Sequence, residues 1–221
     1  MNKIVMVGGG KGGVGKSTVV FSVVDLLITN GQTVVLVESD DSNPDTYKSL
    51  KNLIKSELCN LDKEEGFIKL GNIIQANNDA CIVVNTAERA TSSIVKHGGI
   101  LRDVVLELKR ELVMLWPMNR QRDSIELLKI FLDGTSGYSE TYALLNTYFG
   151  VYEKFVRFDQ SKQKDRVTGT LIFPELNDLV ADKLFDDRLA LSNAESVLSI
   201  SERSVLRRYR EDANDVLKVL L

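Results

Sequence analysis

Residues 8–18 read GGGKGGVGKST. This stretch contains the pattern G-x-x-x-x-G-K-[ST], which holds nucleotide phosphates in a loop between a strand and a helix. An apolar run at residues 4–7 precedes the loop, and a run with helical spacing follows at residues 19–28. The four fixed positions of the pattern are Gly10, Gly15, Lys16 and Ser17. Motif and context together predict a phosphate-binding loop, and a second lysine, Lys11, lies near its start.

The residue types of this loop suit phosphate binding. Gly12, Gly13 and Gly15 allow backbone conformations that other residues avoid, so successive N–H groups can point towards phosphate oxygens. Lys16 is expected to reach the β- and γ-phosphates of ATP, and the Ser17 hydroxyl is expected to ligate Mg²⁺. The predicted nucleotide-binding residues of the loop are Gly10, Lys11, Gly12, Gly13, Val14, Gly15, Lys16, Ser17 and Thr18.

The composition is that of an ordinary globular protein. The chain has 221 residues, of which 43% are hydrophobic and 27% are charged, and its formal net charge is −3. This charge gives no global attraction to nucleic acid or to an anionic membrane, so any such contact must be local. We expect neither a signal peptide nor a membrane span, because the first apolar run is short and leads directly into glycines. The expected location is the cytoplasm.

Cysteine and histidine are too few and too scattered to suggest a zinc site. Cys59 and Cys81 lack the spacing of metal ligands, and His97 is the single histidine. Both cysteines are predicted to be reduced thiols in or near the core. His97 is followed by two glycines, and we interpret its segment as a solvated loop.

Strand-length apolar runs alternate with stretches of helical period along the whole chain. Strands are predicted at residues 3–7, 33–38, 80–84, 112–116, 141–145 and 169–173. Helices are predicted at residues 16–29, 101–111 and 123–132, over most of 45–76, and over 176–221 with a break near 192–193. This alternation predicts one α/β domain over residues 1–221, with a mostly parallel sheet and helices on both faces.

The segment KGGVGKST at residues 11–18 resembles the deviant phosphate loop of the ParA/MinD superfamily of ATPases. The resemblance implies a nucleotide-sandwich homodimer in the bacterial cytoplasm or nucleoid, with ATP and Mg²⁺ as cofactors. In that family the early lysine reaches the phosphates bound by the partner, which implies the same catalytic role for Lys11. The alternative for Lys11 is a solvated loop lysine. Lys16 is the second catalytic lysine that the resemblance implies.

A second resemblance lies in VVLVESDD at residues 34–41, which is similar to the family's apolar strand ending in D-x-D. Glu38 takes the first acidic place and Asp40 the second. The resemblance implies that Asp40 orients the attacking water, and Asp40 also becomes a candidate for holding Mg²⁺ through water. The alternative is an acidic loop in which Ser42 or Asp45 caps the next helix.

The segment at residues 79–87 resembles the Walker B strand but departs from it. Asn85 stands where the family has aspartate, and Ala87 stands where it has proline. The Asn85 carbonyl can still accept a hydrogen bond from metal-bound water, but it supplies no charge. The loss of one charge-assisted bond costs about 1.5–3 kcal/mol, which is enough to slow an enzyme. The carboxylates that could replace the charge are Glu38, Asp40, Asp41 and Glu88.

Two later segments resemble the family's base-binding elements. Asn146 follows a predicted strand, and Pro174 follows the next one. An amide at the carboxyl end of a strand offers a donor and an acceptor to a purine. The alternatives are a turn residue for Asn146 and a strand terminator for Pro174. Residues 117–124 and 149–150 resemble plasmid stability proteins of the StbB type within the superfamily.

Two basic clusters are candidates for nonspecific DNA binding, which the resemblance implies for the dimer. The first, Lys154–Arg166, contains Lys154, Arg157, Lys162, Lys164 and Arg166, and the second, Arg203–Arg210, contains Arg203, Arg207, Arg208 and Arg210. The alternative for both is a solvated helix face. The C-terminal helix is amphipathic, and we predict that it packs on the sheet rather than on a membrane, because Glu211, Asp212 and Asp215 would repel anionic lipid.

The resemblance implies a slow ATPase that acts as a dimerising switch in plasmid or DNA segregation or in cargo positioning. A partner protein is expected to stimulate hydrolysis. Two alternatives remain open. One is a nucleotide-dependent scaffold with little or no hydrolysis, and the other is an ATP-dependent small-molecule enzyme on the same fold.

Overall fold

The computed structural model describes residues 3–221, which build a seven-stranded parallel sheet. The strands in chain order are β1 (Ile4–Val7), β2 (Val34–Glu38), β3 (Lys55–Leu58), β4 (Cys81–Asn85), β5 (Leu112–Met118), β6 (Glu140–Asn146) and β7 (Gly169–Phe173). Their order across the sheet is β3-β2-β4-β1-β5-β6-β7, and every neighbouring pair is parallel. β1 therefore lies between β4 and β5, with Ile4 opposite Ile82 on one side and Leu112 on the other.

Helices cover both faces of the sheet. They are α1 (Lys16–Thr29), α2 (Asp45–Leu50), α3 (Glu64–Ala76), α4 (Ala90–Glu107), α5 (Arg122–Gly134), α6 (Val156–Asp159), α7 (Asp178–Asp186) and α8 (Ile200–Leu217). One apolar core joins the sheet to α1, α2, α7 and α8, and a second joins the other face to α3, α4, α5 and α6. The inner strands β1, β2 and β4 are largely apolar runs, as expected when both sides of a sheet are buried.

The sequence-based predictions are confirmed for most elements and wrong in three places. Residues 45–76 are not mainly helical, because β3 interrupts them as the edge strand of the sheet. Its sequence, KSEL, is partly exposed and lacks the apolar run that marks the inner strands. The helix predicted at residues 101–111 begins eleven residues earlier and ends at Glu107. His97 lies within this helix, half-buried with its ring centroid 5.8 Å from that of Phe67, and not in a loop.

The C-terminal helix packs on the protein, as predicted. The apolar side of α8 joins the core beside α1, and the Tyr209 hydroxyl lies 2.8 Å from the Ser22 hydroxyl. Arg210 also makes two hydrogen bonds of 2.9 Å to the carboxylate of Asp25 on α1. Within residues 3–221, no helix has the length and apolarity to cross a membrane. Cys59 and Cys81 are buried free thiols.

Candidate functional site

The phosphate-loop pattern lies where β1 ends and α1 begins. The backbone of Gly9, Gly13 and Gly15 has φ angles of +142°, +72° and +96°, which glycine adopts far more readily than other residues. At Gly15 an added Cβ would lie only 2.4 Å from the Asn146 amide nitrogen. Conformation and space therefore both require glycine at this position, directly before the helix that would face the phosphates.

Lys16 is folded back over the loop. Its ammonium donates to the carbonyl oxygens of Gly9, at 3.3 Å, and of Lys11, at 3.0 Å. Burial lowers the pKa of Lys16, although the negative charges of Glu88 and Asp40 oppose this effect. The loop therefore holds the ammonium at the phosphate site with weak partners that a phosphate could replace.

A cleft of about 510 Å³ opens above the loop at the carboxyl ends of the strands. Parallel α/β sheets place ligands at this edge. Ten of the predicted site residues line it, namely Gly12, Gly13, Gly15, Lys16, Ser17, Thr18, Asp40, Asn85, Asn146 and Pro174. Of the other three, Val14 is buried in the core and Gly10 packs against Thr91 and Leu127. The third is Lys11.

Lys11 points to the start of α5. Its ammonium contacts the Asp123 carboxylate at 2.5 Å and the Gln121 side chain. The hydrogen bond from Lys11 holds the pKa of Asp123 below its ordinary value. In a single chain Lys11 is thus a partly exposed, ion-paired lysine, which is compatible with the solvated loop lysine of the alternative. Its predicted reach to a partner's phosphates concerns a second chain and stays a prediction.

The two acidic residues at the carboxyl end of β2, Glu38 and Asp40, have different surroundings. Burial raises the pKa of Glu38, despite hydrogen bonds from Thr46 and Asn85. Asp40 lines the cleft, and its carboxylate accepts hydrogen bonds from Ser42 and from the Asn43 N–H, at 3.3 Å. Burial acts against ionisation of Asp40, but these hydrogen bonds hold its pKa below the ordinary value. Asp40 is therefore a carboxylate held ionised at the cleft.

The alternative in which Ser42 or Asp45 caps the next helix is wrong. Pro44 is the N-cap of α2, and within the described chain no side chain caps that helix. Asp45 is the first residue of the helix, where its negative charge interacts favourably with the helix dipole. The Asp40 carboxylate organises the turn through residues 42 and 43 instead.

Asn85 ends β4 beside the cleft and is 6% exposed. Its Nδ2 donates to Glu38 at 2.9 Å, but its Oδ1 is buried and has no hydrogen-bond partner among residues 3–221. An unpaired buried acceptor is costly, so it implies a donor that binds there. A water on Mg²⁺ is such a donor, and together with Ser17 and Asp40 the cleft provides the oxygen ligands that suit this cation.

The residues fit Mg²⁺ only in company with a nucleotide. No group of three or more His, Cys, Asp or Glu side chains suitable for a metal occurs in the described part of the chain. Mg²⁺ in nucleotide sites is held by one or two protein groups together with phosphate oxygens. The cleft residues can thus supply the protein ligands of a cation that also binds the phosphate oxygens of a nucleotide.

Asn146 supports the loop. Its Nδ2 donates to the Val14 carbonyl at 3.0 Å, and its Oδ1 accepts from the Tyr148 N–H at 3.0 Å. Pro174, directly after β7, lines the cleft as well. Both residues line the cleft, and Asn146 acts as the turn residue of the alternative. Their predicted contact with a base stays a prediction.

Sequence reasoning missed one wall of the cleft. α7 contributes Asp178, Ala181, Asp182 and Phe185 to the lining. Their spacing of three and four residues places them on one helix face, which is a signal that the sequence does contain. Nothing local in that pattern indicates that the face meets a cleft rather than solvent.

In both basic clusters, some of the positive side chains are paired with nearby carboxylates. Arg166 pairs with Asp133 at 2.8 Å, and Lys164 contacts Asp159. In the second cluster, Arg210 is the partner of the buried Asp25. Arg207 and Arg208 remain exposed on α8.

Comparison with known proteins gives one family match and one close relative. Residues 5–134 match the family described as CobQ/CobB/MinD/ParA nucleotide binding domain. Protein MobD from Acidithiobacillus ferrooxidans is 39% identical over 219 residues, which cover 97% of this chain and 96% of that protein. The relative therefore matches almost from end to end.

Solved structures share the fold at low identity. A Borrelia burgdorferi B31 protein assigned to plasmid partition, bound to AMPPNP, is 17% identical with a TM-score of 0.59, over 100% of this chain and 99% of that one. The septum site-determining protein MinD from Pyrococcus horikoshii OT3, complexed with Mg-ADP, is 15% identical with a TM-score of 0.54, over 100% and 99%.

The signal recognition particle receptor FtsY from Elizabethkingia anophelis is 14% identical with a TM-score of 0.57, over 95% of this chain. This chain spans 66% of that receptor's length. At such identities the structures support the fold alone. The family match covers more than half of the sequence, and the relative covers nearly all of it. The chain belongs to the CobQ/CobB/MinD/ParA family of nucleotide-binding domains.

Proposed function

We propose that the protein is an ATP-dependent dimerising ATPase that acts as a switch in plasmid or DNA segregation or in cargo positioning. The observation that carries the proposal is the cleft that Lys16 and Ser17 of the loop line together with Asp40. Asn85 lines the same cleft, and its buried Oδ1 has no partner among residues 3–221. Its volume of about 510 Å³ is within the range of nucleotide and cofactor sites. The plasmid partition assignment of a structural neighbour and the family match favour the biological role.

In this proposal, each residue has a defined task. The loop N–H groups and Lys16 bind the phosphates, and Asn146 and Pro174 contact the base. Ser17, with Asp40 and Asn85 acting through water, would hold Mg²⁺, which supplies charge neutralisation at the phosphates. Asp40 accepts a hydrogen bond from the attacking water and orients it.

Lys11 has two positions in the proposed cycle. In the single chain it pairs with Asp123, and both side chains are partly exposed. Exposed ion pairs contribute little to stability, so this contact can be released at low cost. In the ATP-bound dimer, Lys11 would turn to the partner's phosphates and stabilise the charge of phosphoryl transfer.

The further partners of the switch are a protein that stimulates hydrolysis and DNA bound nonspecifically, with the bacterial cytoplasm or nucleoid as the location. Arg207 and Arg208 are the exposed arginines available for phosphate contacts on α8. One observation favours a second candidate, a nucleotide-dependent scaffold with little hydrolysis. It is the neutral Asn85 at the end of β4, where a carboxylate would speed the reaction.

The decisive experiment is to measure the mass of the protein in solution with and without ATP and Mg²⁺, and to identify the bound nucleotide. The switch is expected to be monomeric alone and dimeric with ATP and Mg²⁺, and to return to monomer as ADP forms. Stable dimers without turnover, even with DNA present, would favour the scaffold. A monomer under every condition would contradict both.

Asp40→Ala is expected to trap the ATP-bound dimer. Since a positioned base contributes about 10²–10⁴-fold, turnover should fall by about 100-fold or more while nucleotide affinity changes little. The measurement is steady-state phosphate release together with dimer mass. The matched control is Asp41→Ala, because Asp41 pairs with Arg89 and Asn60 instead. Equal turnover in the two variants would contradict the role of Asp40.

A further inference from the structure

We propose that Glu88 supplies, at the divalent-cation site of the bound nucleotide, the negative charge that Asn85 lacks. The inference rests on the proposed nucleotide binding and names a residue for its cation. Glu88 lies three residues after Asn85, in the loop between β4 and α4, and both residues line the cleft. The negative charge would thus lie three residues further along the chain than the position of Asn85, at the same edge of the sheet.

The Glu88 carboxylate lies directly against the phosphate loop. A Cβ added at Gly12 would lie 2.7 Å from Glu88 Oε2 and 3.2 Å from Oε1, so the carboxylate covers the loop at that glycine. Among the charges that raise the pKa of Lys16, Glu88 contributes the most. Glu88 therefore stands close to the ammonium that is expected to hold the β- and γ-phosphates.

The Glu88 carboxylate is also chemically available. Among residues 3–221 no hydrogen bond or ion pair involves its side chain, and it is exposed at the mouth of the cleft. Asn85, on the same edge, lines the cleft, and its Oδ1 is buried and has no hydrogen-bond partner in the described chain. A hydrated cation that both residues help to hold would satisfy a neutral acceptor and a charged one together.

The other carboxylates of the region have different tasks. Glu38 is 1% exposed and already accepts hydrogen bonds from Thr46, Asn85 and the Asp40 N–H. Asp41 pairs with Arg89 and accepts from Asn60 at 2.7 Å. Asp40 holds the turn at residues 42–43 and is the candidate for orienting water and for contacting Mg²⁺ through water. Of the carboxylates at the ends of β2 and β4, Glu88 is therefore the one left to supply the charge that Asn85 lacks.

This arrangement makes nucleotide binding depend on the cation in a measurable way. Without a divalent cation, Glu88 would repel the phosphates and neutralise part of the charge of Lys16. With the cation, the same carboxylate becomes attractive. The ratio of nucleotide affinities with and without Mg²⁺ therefore reports the charge at residue 88, independently of turnover.

The test measures the affinity of the full chain for a fluorescent, non-hydrolysable ATP analogue in Mg²⁺ and in EDTA. Glu88→Gln is expected to lower the ratio of the two affinities by about tenfold or more, the effect of one lost charge-assisted contact. Adding Asn85→Asp to Glu88→Gln is expected to restore the ratio, because the charge returns to the end of β4. Glu175→Gln, an exposed change beside Pro174, is the matched control and should leave the ratio unchanged.

Three outcomes would overturn the assignment. Unchanged affinities of Glu88→Gln in both Mg²⁺ and EDTA would show that residue 88 affects neither the cation nor the phosphates. Equal tightening in Mg²⁺ and in EDTA would show that Glu88 only repels phosphate. Absence of analogue binding by the unmodified chain would instead overturn the proposed nucleotide-dependent function, and the assignment with it. Thermal unfolding of each variant verifies that the fold is retained.

Discussion

Lys16→Ala is expected to lower nucleotide affinity by about 100-fold or more, since a charge-assisted hydrogen bond is worth about 1.5–3 kcal/mol and Lys16 is placed to make more than one. Among residues 3–221 its ammonium bonds only to the carbonyls of Gly9 and Lys11, which a phosphate can replace. Titration with a fluorescent ATP analogue measures the effect directly.

Lys11→Ala is the matched control from the same loop. Lys11 points to Asp123 rather than into the cleft, so this variant is expected to bind nucleotide about as well as the unmodified protein. It should nevertheless fail to form ATP-dependent dimers, if Lys11 reaches the partner's phosphates. Wild-type affinity in Lys16→Ala would refute the phosphate-loop assignment. Dimers of normal strength in Lys11→Ala would refute only the cross-subunit role.

Arg210→Ala is expected to lower the free energy of unfolding by about 3–5 kcal/mol, the usual cost of leaving a buried charge without its partner. The Asp25 side chain is only 3% exposed. In the described part of the chain its carboxylate receives two hydrogen bonds, both from Arg210 and both 2.9 Å long. Because α1 carries Asp25 and also begins at the phosphate loop, the pair ties the C-terminal helix to the site. Urea denaturation at neutral pH measures the loss.

Arg207→Ala, on the same helix, provides the comparison. Arg207 is exposed, and substitutions of that kind usually change stability by less than about 0.5 kcal/mol. Equal stability of the two variants would contradict the structural role of Arg210. The two variants also separate two properties of the basic cluster. Arg210 contributes to stability, whereas Arg207 can contact DNA phosphates without a cost in the free energy of unfolding.

The sequence was sufficient where local pattern and structure coincide. Residues 8–18 predicted the loop between strand and helix, because the glycine, lysine and serine positions determine a backbone conformation over a few residues. The apolar runs of β1, β2 and β4 predicted buried parallel strands, since both faces of the sheet are covered. The edge strand β3 escaped prediction because its exposed, polar sequence resembles the helices around it.

The tertiary structure alone decided which side chains meet. Lys11 and Asp123 are 112 residues apart, and Asp25 and Arg210 are 185 apart, so no local pattern could pair them. The sheet order brings the ends of β1, β2 and β4 together, and this leaves Asn85 Oδ1 buried and Glu88 above the loop. The sequence by itself determined the phosphate loop and the missing Walker B charge. Where that charge can be replaced depends on distances across the sheet edge, which only the folded chain defines.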